Sequence, residues 1–317
     1  MNHLLSIQDL SQSEALFLLA EAGRLKRERM ENPQAQFDLL RGQTLAMIFE
    51  KPSLRTRVSF EAAMAHCGGH AIYLAPGDIG LGKREAVADV ARVLGGMCDG
   101  IMARVFEHKT VVELAQWSGK PVINGLCDLE HPCQALADLQ TLAEFRTLEG
   151  RKLAYVGDGN NVCHSLMLLC AKVGVSFSCA TPQGFEPLPD FVQTAQKDGE
   201  VQLTHDPREA VEGADCVYTD VWTSMGQEEE TARRLEIFPP FQINEQLMNS
   251  AKPDALVLHC LPAHRGEEIS AESFELHAPE IFAQAENRLH AQKAVLLHLM
   301  SPPRENISTP RPLTSDP

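Results

Sequence analysis

Apolar and polar positions along the chain fall into blocks that predict strands and helices in alternation. The stretch 11–29 places apolar residues every three or four positions, which predicts an amphipathic helix. Short apolar runs bounded by polar loops then predict buried strands. These runs form a first set at 44–49, 70–75, 99–105 and 121–125, and a second set at 152–158, 175–180, 201–206, 215–221 and 255–261.

Helical patterns separate the predicted strands. They cover 56–67, 85–97, 110–118, 132–145 and 280–300. Strands that alternate with helices at this spacing are typical of βαβ units and a parallel sheet. Because the strand pattern restarts at 152, we predict an α/β fold with two doubly wound parallel-sheet domains in tandem, linked by helices.

The same pattern sets the predicted domain boundaries. We expect a first domain over 1–146, a second over 147–300, and a mobile, proline-rich tail over 301–317. The helix at 280–300 could pack back on the first domain.

Polar clusters follow the predicted strands at the points where those strands end. They lie at 51–57, 104, 157–161, 220–226 and 260–265. Parallel sheets bind ligands at the carboxyl ends of their strands, so we predict one composite site in the cleft between the domains.

Composition and charge narrow the classes of function. The chain has 317 residues, with 28 basic and 43 acidic side chains and a formal net charge of −15, which argues against nucleic acid or an anionic membrane as a partner. No run approaches the roughly 20 apolar residues of a membrane helix, and no leader pattern opens the chain, so we expect a cytoplasmic protein. The nine cysteines are never spaced as CxxC, and we expect neither a disulfide scaffold nor a bound metal.

The segment FEKPSLRTRVSFE (49–61) is a candidate anion-binding loop. A strand ends here and a helix begins near Thr56, and the unpaired N–H groups of a helix start suit phosphate. Ser53 and Thr56 add hydroxyl donors, while Arg55 and Arg57 add cationic donors. The Walker pattern is absent. From spacing alone, a solvated loop capped by Thr56 is an equally good interpretation.

This segment resembles the carbamoyl phosphate loop of the aspartate/ornithine transcarbamoylase family. That loop reads Ser-Thr-Arg-Thr-Arg, and Leu54 stands here in place of the first threonine. HPCQ (131–134) matches the family's His-Pro-x-Gln motif, and Arg104 matches an arginine that completes the anion site. The resemblance implies a phosphate site formed by Ser53, the Leu54 N–H, Arg55, Thr56 and Arg104.

The resemblance also implies contacts to the carbamoyl group. Negative charge grows on the carbonyl oxygen during attack, and donors placed around that oxygen stabilise it. Gln134 and the backbone carbonyl of Leu261 would hold the carbamoyl NH2, with Cys260 beside them and Arg288 closing the site. No cofactor is implied, because carbamoyl phosphate already carries a good leaving group. The donors to the carbonyl oxygen would be Arg55, Thr56, Arg104 and His131.

Three further segments match the ornithine-specific members of the family. GDGNN (157–161) lacks the third glycine of a dinucleotide loop, and Asn161 matches the asparagine that binds the amino acid's carboxylate, with Asn160 as the competing choice. In TDVWTSMG (219–226), the residues that would bind the α-amino group are Asp220, Ser224 and the backbone of Met225. In HCLP (259–262), Cys260 stands where aspartate-specific members typically have proline.

The resemblance implies an activity and an assembly. The carbamoyl group of carbamoyl phosphate would pass to L-ornithine, in a homotrimer built on the first domain. Because alkyl amines are largely protonated at neutral pH, Cys260 and Asp220 would orient the δ-amine and accept its proton. Two alternatives stay open: a transcarbamoylase for another amine, such as putrescine or an acylated ornithine, and a non-catalytic homologue that binds ligands or a partner protein.

Overall fold

The computed structural model describes residues 1–224, 226 and 228–301. Within these residues the chain forms two parallel sheets covered by helices, so the predicted fold class is confirmed. The predicted contact through the Met225 backbone lies outside the described residues, as does the predicted tail beyond Ser301.

The first half of the chain forms a parallel sheet with helices around it. Its elements are α1 (Gln12–Glu31), β1 (Thr44–Phe49), α2 (Leu54–His66), β2 (His70–Leu74), α3 (Pro76–Ile79), α4 (Val87–Met97), β3 (Gly100–Arg104), α5 (His108–Ser118), β4 (Val122–Leu126) and α6 (Pro132–Phe145). The strands lie in the order β2-β1-β3-β4. All neighbouring strands in this sheet are parallel, and β2 is a half-exposed edge.

The second half repeats the architecture with one more strand. Its elements are β5 (Lys152–Val156), α7 (Asn161–Val173), β6 (Ser176–Ala180), α8 (Pro189–Asp198), β7 (Val201–Thr204), α9 (Pro207–Val211), β8 (Cys216–Thr219), α10 (Thr231–Ile237), α11 (Glu245–Met248), β9 (Leu256–His259), α12 (Ala271–Leu276) and α13 (Ala278–Met300). The strands lie in the order β7-β6-β5-β8-β9. From β5 the chain adds β6 and β7 on one side and then β8 and β9 on the other. Doubly wound folds open a ligand crevice where the strand order changes direction in this way.

Helix α2 begins two residues earlier than the sequence pattern predicts. Ser53 has an extended backbone and caps the helix, because its hydroxyl accepts a hydrogen bond from the Thr56 N–H at 3.2 Å. Leu54, Arg55 and Thr56 therefore form the first helical turn, directly after β1. This turn brings the positive end of the helix dipole to the carboxyl edge of the sheet.

Helix α13 ties the two halves of the molecule together. It packs against α1, α2 and α6 of the first half and against β9 of the second. The largest hydrophobic core is continuous across both halves and includes residues of β1, α6, α7 and α13. Among the helices of the described residues, none is long and apolar enough to cross a membrane.

Candidate active site

A cavity of about 360 Å³ lies where strands of both sheets end. Apart from Arg57 and the competing asparagine Asn160, the structure brings into its lining every site residue predicted from the sequence that belongs to the described part of the chain. Residues from both halves of the chain therefore line the cavity, as expected for a composite site. These residues are Ser53, Leu54, Arg55, Thr56, Arg104, His131, Gln134, Asn161, Asp220, Ser224, Cys260, Leu261 and Arg288.

The sequence motifs did not single out the remaining residues of the cavity wall. Lys51 lies within the polar cluster at 51–57 and His264 within the cluster at 260–265, so membership of these clusters was the available signal. The apolar members carry no chemical signature that distinguishes them from core residues. The complete set is Lys51, Pro52, Leu126, Val162, Val221, Thr223, Pro262 and His264.

Three arginines make one side of the cavity strongly positive. Burial and, to a smaller extent, the positive charges of Arg288 and Arg55 together lower the pKa of Arg104 to about 10. Burial also lowers the pKa of Arg55 and of Arg288. A guanidinium with a pKa near 10 remains charged at neutral pH. This wall therefore attracts an anion such as a phosphate group.

His131 lies within this positive wall and is neutral. Burial lowers its pKa well below the usual value, and the charges of Arg288, Arg104 and Arg55 lower it further. Its backbone N–H donates to the Ser165 hydroxyl at 2.9 Å, which fixes the start of α6. A neutral imidazole with one ring N–H can donate a hydrogen bond to a carbonyl oxygen without adding a charge.

A chain of hydrogen bonds joins the three helices around the positive wall. Arg288 donates from one nitrogen to Gln134 Oε1 at 2.6 Å and from another to Thr56 Oγ1 at 3.2 Å. Gln134 in turn donates from Nε2 to Asp138 Oδ1 at 2.7 Å. Helices α13, α6 and α2 thus hold one another's polar side chains in place at the cavity.

Arg57 does not contribute to the positive wall, which corrects the expectation that both arginines of the loop serve the anion. Its Nε lies 2.9 Å from Glu61 Oε1, and its guanidinium lies 3.8 Å from the centre of the Tyr73 ring. Residues two apart on a helix point in directions about 200° apart. Because α2 begins at Leu54, only Arg55 of this pair faces the cavity.

Asp220 and Cys260 form a hydrogen-bonded pair in the lining of the same cavity. The Cys260 thiol donates to Asp220 Oδ1 at 2.9 Å, and Asn160 Nδ2 donates to Asp220 Oδ2 at 2.8 Å. Burial raises the pKa of Cys260 well above its usual value, and the adjacent Asp220 charge raises it further. The thiol therefore retains its proton, and this geometry favours Asp220 as the proton acceptor of the pair.

The two neighbouring asparagines of the GDGNN segment have different positions. Asn160 caps α7, accepting at Oδ1 from the N–H groups of Val162 and Cys163 at 3.0 and 3.1 Å. Asn161 lines the cavity, and its Nδ2 donates to the Cys127 carbonyl at 2.7 Å. Asn160 therefore positions Asp220, while Asn161 is the one exposed to a ligand.

Gly159, in the loop between β5 and α7, has a packing role. A Cβ on Gly159 would lie 2.3 Å from the backbone nitrogen of Pro187, so only glycine fits where these two loops meet. The GxG spacing in this segment thus reflects close backbone packing.

Arg234 anchors the loop that carries Asp220, and no sequence motif identified it. Its Nη1 donates to the Trp222 carbonyl at 2.6 Å and to Asp158 Oδ2 at 2.8 Å. Burial raises the pKa of Asp158 to about 6, and the charge of Arg234 opposes that rise. Arg234 thereby joins the loop after β8, at Trp222, to the loop after β5, at Asp158. The Asn160–Asp220 hydrogen bond joins the same two loops.

The HCLP segment is held by a buried network. Leu261 adopts a left-handed backbone with φ of 58°, which is uncommon for a residue with a side chain and often marks a functional site. Its N–H donates to His259 Nδ1 at 2.9 Å, and His259 Nε2 lies 2.9 Å from Glu268 Oε1. His259 and Glu268 are both fully buried. They fix the turn that presents Cys260 and Leu261.

Comparisons with known proteins agree over nearly the whole chain. Residues 2–144 match the profile of "Aspartate/ornithine carbamoyltransferase, carbamoyl-P binding domain", and residues 149–299 match the companion "Asp/Orn binding domain". The chain is 53% identical to an ornithine carbamoyltransferase of Bacillus subtilis (strain 168) over 299 residues, covering 92% of each chain. It is 51% identical over 304 residues to the ornithine carbamoyltransferase of Pyrococcus abyssi (strain GE5 / Orsay), covering 94% of this chain and 95% of the relative.

A solved structure extends the agreement to three dimensions. The ornithine carbamoyltransferase from Pyrococcus furiosus superposes with a TM-score of 0.89 at 51% sequence identity. The superposition covers 94% of this chain and 97% of the other. Both sheets and the cleft between them are included in a match of this extent.

Proposed function

The chain belongs to the aspartate/ornithine carbamoyltransferase family, and from this membership we propose that it transfers the carbamoyl group of carbamoyl phosphate to L-ornithine. The products are L-citrulline and phosphate. The observation that supports this most directly is that one cavity is lined both by Arg55, Arg104 and Arg288 and by the Asp220–Cys260 pair. The first group suits an anionic donor, and the second suits an amine acceptor.

The positive wall is proposed to bind carbamoyl phosphate. The phosphate contacts come from the first turn of α2 and from Arg104, with Arg288 closing the site from α13. Arg55, Thr56, Arg104 and His131 donate to the carbonyl oxygen as its negative charge grows. Gln134 Oε1 and the Leu261 carbonyl accept from the carbamoyl NH2. The phosphate-binding set is Ser53, the Leu54 N–H, Arg55, Thr56, Arg104 and Arg288.

The part of the lining that carries the Asp220–Cys260 pair is proposed to bind ornithine. Asn161 donates to the α-carboxylate, and Asp220 accepts from the α-amino group with Ser224 and the backbone of Met225 assisting. Cys260 orients the δ-amine next to the carbamoyl group. Since the Cys260 thiol donates to Asp220, the carboxylate is also the acceptor closest to the point where the δ-ammonium must lose its proton.

The chemical step needs only these groups. The neutral δ-nitrogen forms a bond to the carbonyl carbon, and the carbon–oxygen bond to phosphate breaks with its electron pair leaving on phosphate. The nitrogen then releases one proton. Arg55, Arg104 and neutral His131 lower the barrier because they are already oriented toward the oxygen on which charge develops.

We assign carbamoyl phosphate binding to residues 1–146 and ornithine binding to residues 147–300.

The assembly proposed is a homotrimer formed through the first domain. Exposed apolar side chains on α2 and the adjoining edge strand β2 support an interface there. A cytoplasmic location agrees with all nine cysteines being free thiols. Light scattering tests the assembly: a fully active monomer would contradict it. The exposed apolar side chains at the proposed interface, on α2 and β2, are Leu54, Val58 and Ile72.

An assay of ureido product tests the activity. The purified protein is incubated with carbamoyl phosphate and one of ornithine, acetylornithine, putrescine, lysine or aspartate. We expect ornithine to be carbamoylated with by far the highest kcat/KM. A preference for putrescine or acetylornithine would replace the proposed acceptor, and product with none of the amines would identify a non-catalytic homologue.

A further inference from the structure

Asp138 is a fully buried acid directly behind the cavity wall. It lies on α6 one turn after Gln134 and is not part of the cavity lining. Its side chain has no exposed surface. Burying a carboxyl group is costly unless strong hydrogen bonds compensate, so the contacts that retain it here merit a functional explanation.

One oxygen of Asp138 accepts hydrogen bonds from two side-chain amides. Gln134 Nε2 donates to Oδ1 at 2.7 Å, and Gln284 Nε2 on α13 donates to the same oxygen at 2.6 Å. Both glutamines are buried, with 1% and 0% of their surfaces exposed. The Gln134 NH2 is therefore committed to this carboxyl group, and the Gln284 NH2 bonds both the carboxyl group and, at 3.3 Å, the Tyr218 hydroxyl.

The oxygen atoms of the two side-chain amides accept hydrogen bonds from groups that can only donate. Gln134 Oε1 accepts from the Arg288 guanidinium at 2.6 Å, and Gln284 Oε1 accepts from the His259 backbone N–H at 2.8 Å. A guanidinium and a peptide N–H have no acceptor to offer, and the carboxylate has no donor. Each amide thus has one satisfactory orientation, and Asp138 is the common partner that selects it for both.

We propose that Asp138 is a positioning residue that keeps the acceptor oxygen of Gln134 toward the cavity and so makes the site selective for a carbamoyl group. The oxygen of Gln134 is shared with Arg288, which lines the cavity, whereas its nitrogen points to Asp138, which does not. The inference rests on the proposed function, because it assumes that Gln134 receives the carbamoyl NH2. Through Gln284 and His259, the same carboxyl group also fixes the residue before Cys260.

Selectivity follows from the chemistry of the two ends of the amide. A carbamoyl NH2 can donate to Gln134 Oε1, whereas the methyl group of acetyl phosphate cannot and would leave that oxygen poorly satisfied. Without Asp138, the NH2 end of Gln134 has no acceptor and the amide is held only through its oxygen by Arg288, so it turns more freely and distinguishes the two ligands less well. Burial raises the pKa of Asp138 to about 7, and the protonated carboxyl still offers an acceptor oxygen.

The experiment compares Asp138→Leu with Asp138→Asn. Leucine has a similar shape but no acceptor, and asparagine keeps an acceptor oxygen without the charge. For each enzyme we measure the KM for carbamoyl phosphate and the inhibition constants of acetyl phosphate and inorganic phosphate. The ratio of the acetyl phosphate inhibition constant to the carbamoyl phosphate KM reports selectivity for the NH2 group, and inorganic phosphate reports the anion site alone.

We expect Asp138→Leu to lower the selectivity ratio about tenfold, the effect of one lost hydrogen bond, while phosphate inhibition stays within about twofold. Asp138→Asn should keep the ratio within about threefold of the native value. The matched control is Asp215→Leu: Asp215 is also buried and accepts from Lys252 at 2.8 Å, but it precedes β8 at the end of the sheet away from the cavity. Its loss should reduce stability and leave the ratio unchanged.

Two results would overturn the proposal. One is an unchanged ratio in a folded Asp138→Leu enzyme. The other is a loss in Asp138→Asn as large as ten-fold, which would assign the effect to the charge of Asp138. The asparagine variant decides alone if the leucine variant does not fold. A native enzyme that forms no citrulline would refute the proposed function, whereas an active native enzyme with unresponsive variants would refute only the role of Asp138.

Discussion

The Cys260 thiol donates a hydrogen bond to the Asp220 carboxylate over 2.9 Å, so that in this pair the sulfur is the donor and the carboxylate is the acceptor. Burial and the Asp220 charge both raise the pKa of the thiol, which keeps it protonated at neutral pH. A thiol that keeps its proton does not suit the role of base, so in the proposed reaction Cys260 would orient Asp220 and the amine.

The two members of this pair should respond differently to substitution. Cys260→Ser keeps a donor to Asp220, so kcat and the KM for ornithine should each change by less than about tenfold. Asp220→Asn removes the acceptor and should lower kcat/KM for ornithine by about 10²–10⁴-fold. Both variants should bind carbamoyl phosphate almost normally. Steady-state kinetics with each substrate makes the comparison, and a loss in Cys260→Ser as large as that in Asp220→Asn would restore the thiol as the base.

Arg55→Ala should remove most of the activity without unfolding the protein. Arg55 lines the cavity, and losing one oriented charged donor should lower kcat by about 10²–10³-fold. Arg57→Ala is the matched control, since it removes the same charge from the same turn but from a side chain paired with Glu61. Circular dichroism and light scattering check fold and assembly in both. Near-normal turnover in Arg55→Ala would reject its assignment to the site.

Leu54→Thr tests the departure from the family loop. The Leu54 side chain is 74% exposed, and the helix-terminal N–H of residue 54 is present with either side chain. We therefore expect the KM for carbamoyl phosphate to fall by less than about tenfold, the effect of one added hydrogen bond. Leu54→Ala separates the gain of a hydroxyl from the loss of apolar surface. An improvement far beyond tenfold would indicate that the native loop binds its anion poorly.

His290 should make a destabilising contribution to the protein as the pH drops below 6.5. Burial, together with Lys293, Lys26, His66 and Arg29, lowers the pKa of His290 to about 3. Between about pH 3 and 6.5 the unfolded histidine binds a proton that the folded one does not, so acid favours unfolding. His290 alone should destabilise the fold by about 2 kcal/mol at pH 5 relative to pH 7.

Thermal unfolding at fixed protein concentration measures this effect. His290→Gln should make the decline in Tm from pH 7 to pH 5 shallower. The control is His70→Gln, which changes an exposed histidine at the edge strand and should leave the slope as it is. Equal slopes for native protein and His290→Gln would show that another group controls the acid response.

Strands and helices were predictable because each depends on a local pattern. The apolar run 44–49 corresponds residue for residue to β1, and 132–145 to α6. The start of α2 was harder to predict from the sequence, because the capping role of Ser53 depends on its extended backbone. The earlier start places Arg55 in the first helical turn, on a different face of α2 from Arg57, which pairs with Glu61.

The site was predictable only in part, and for a different reason. The association of polar clusters with strand ends predicted a shared cleft, but no spacing rule connects Arg288 with Gln134, which are 154 residues apart. That pairing could be anticipated only from resemblance to a family. Arg234 and Asp138 lie in ordinary helical patterns, and their importance depends on tertiary partners that a single sequence does not reveal.

Arg288 lies on α13, which is synthesised long after the other parts of the proposed anion site. Its bond to Thr56 spans 232 residues, so the half of the chain made first cannot complete the anion site that its own loop begins. Domains generally fold from the N-terminus during translation. Until α13 has been made, the faces of α1, α2 and α6 that it covers remain open, and the nascent first domain depends on other contacts to keep them from associating. The completion of the proposed anion site and the burial of this surface therefore occur together, once α13 has been made.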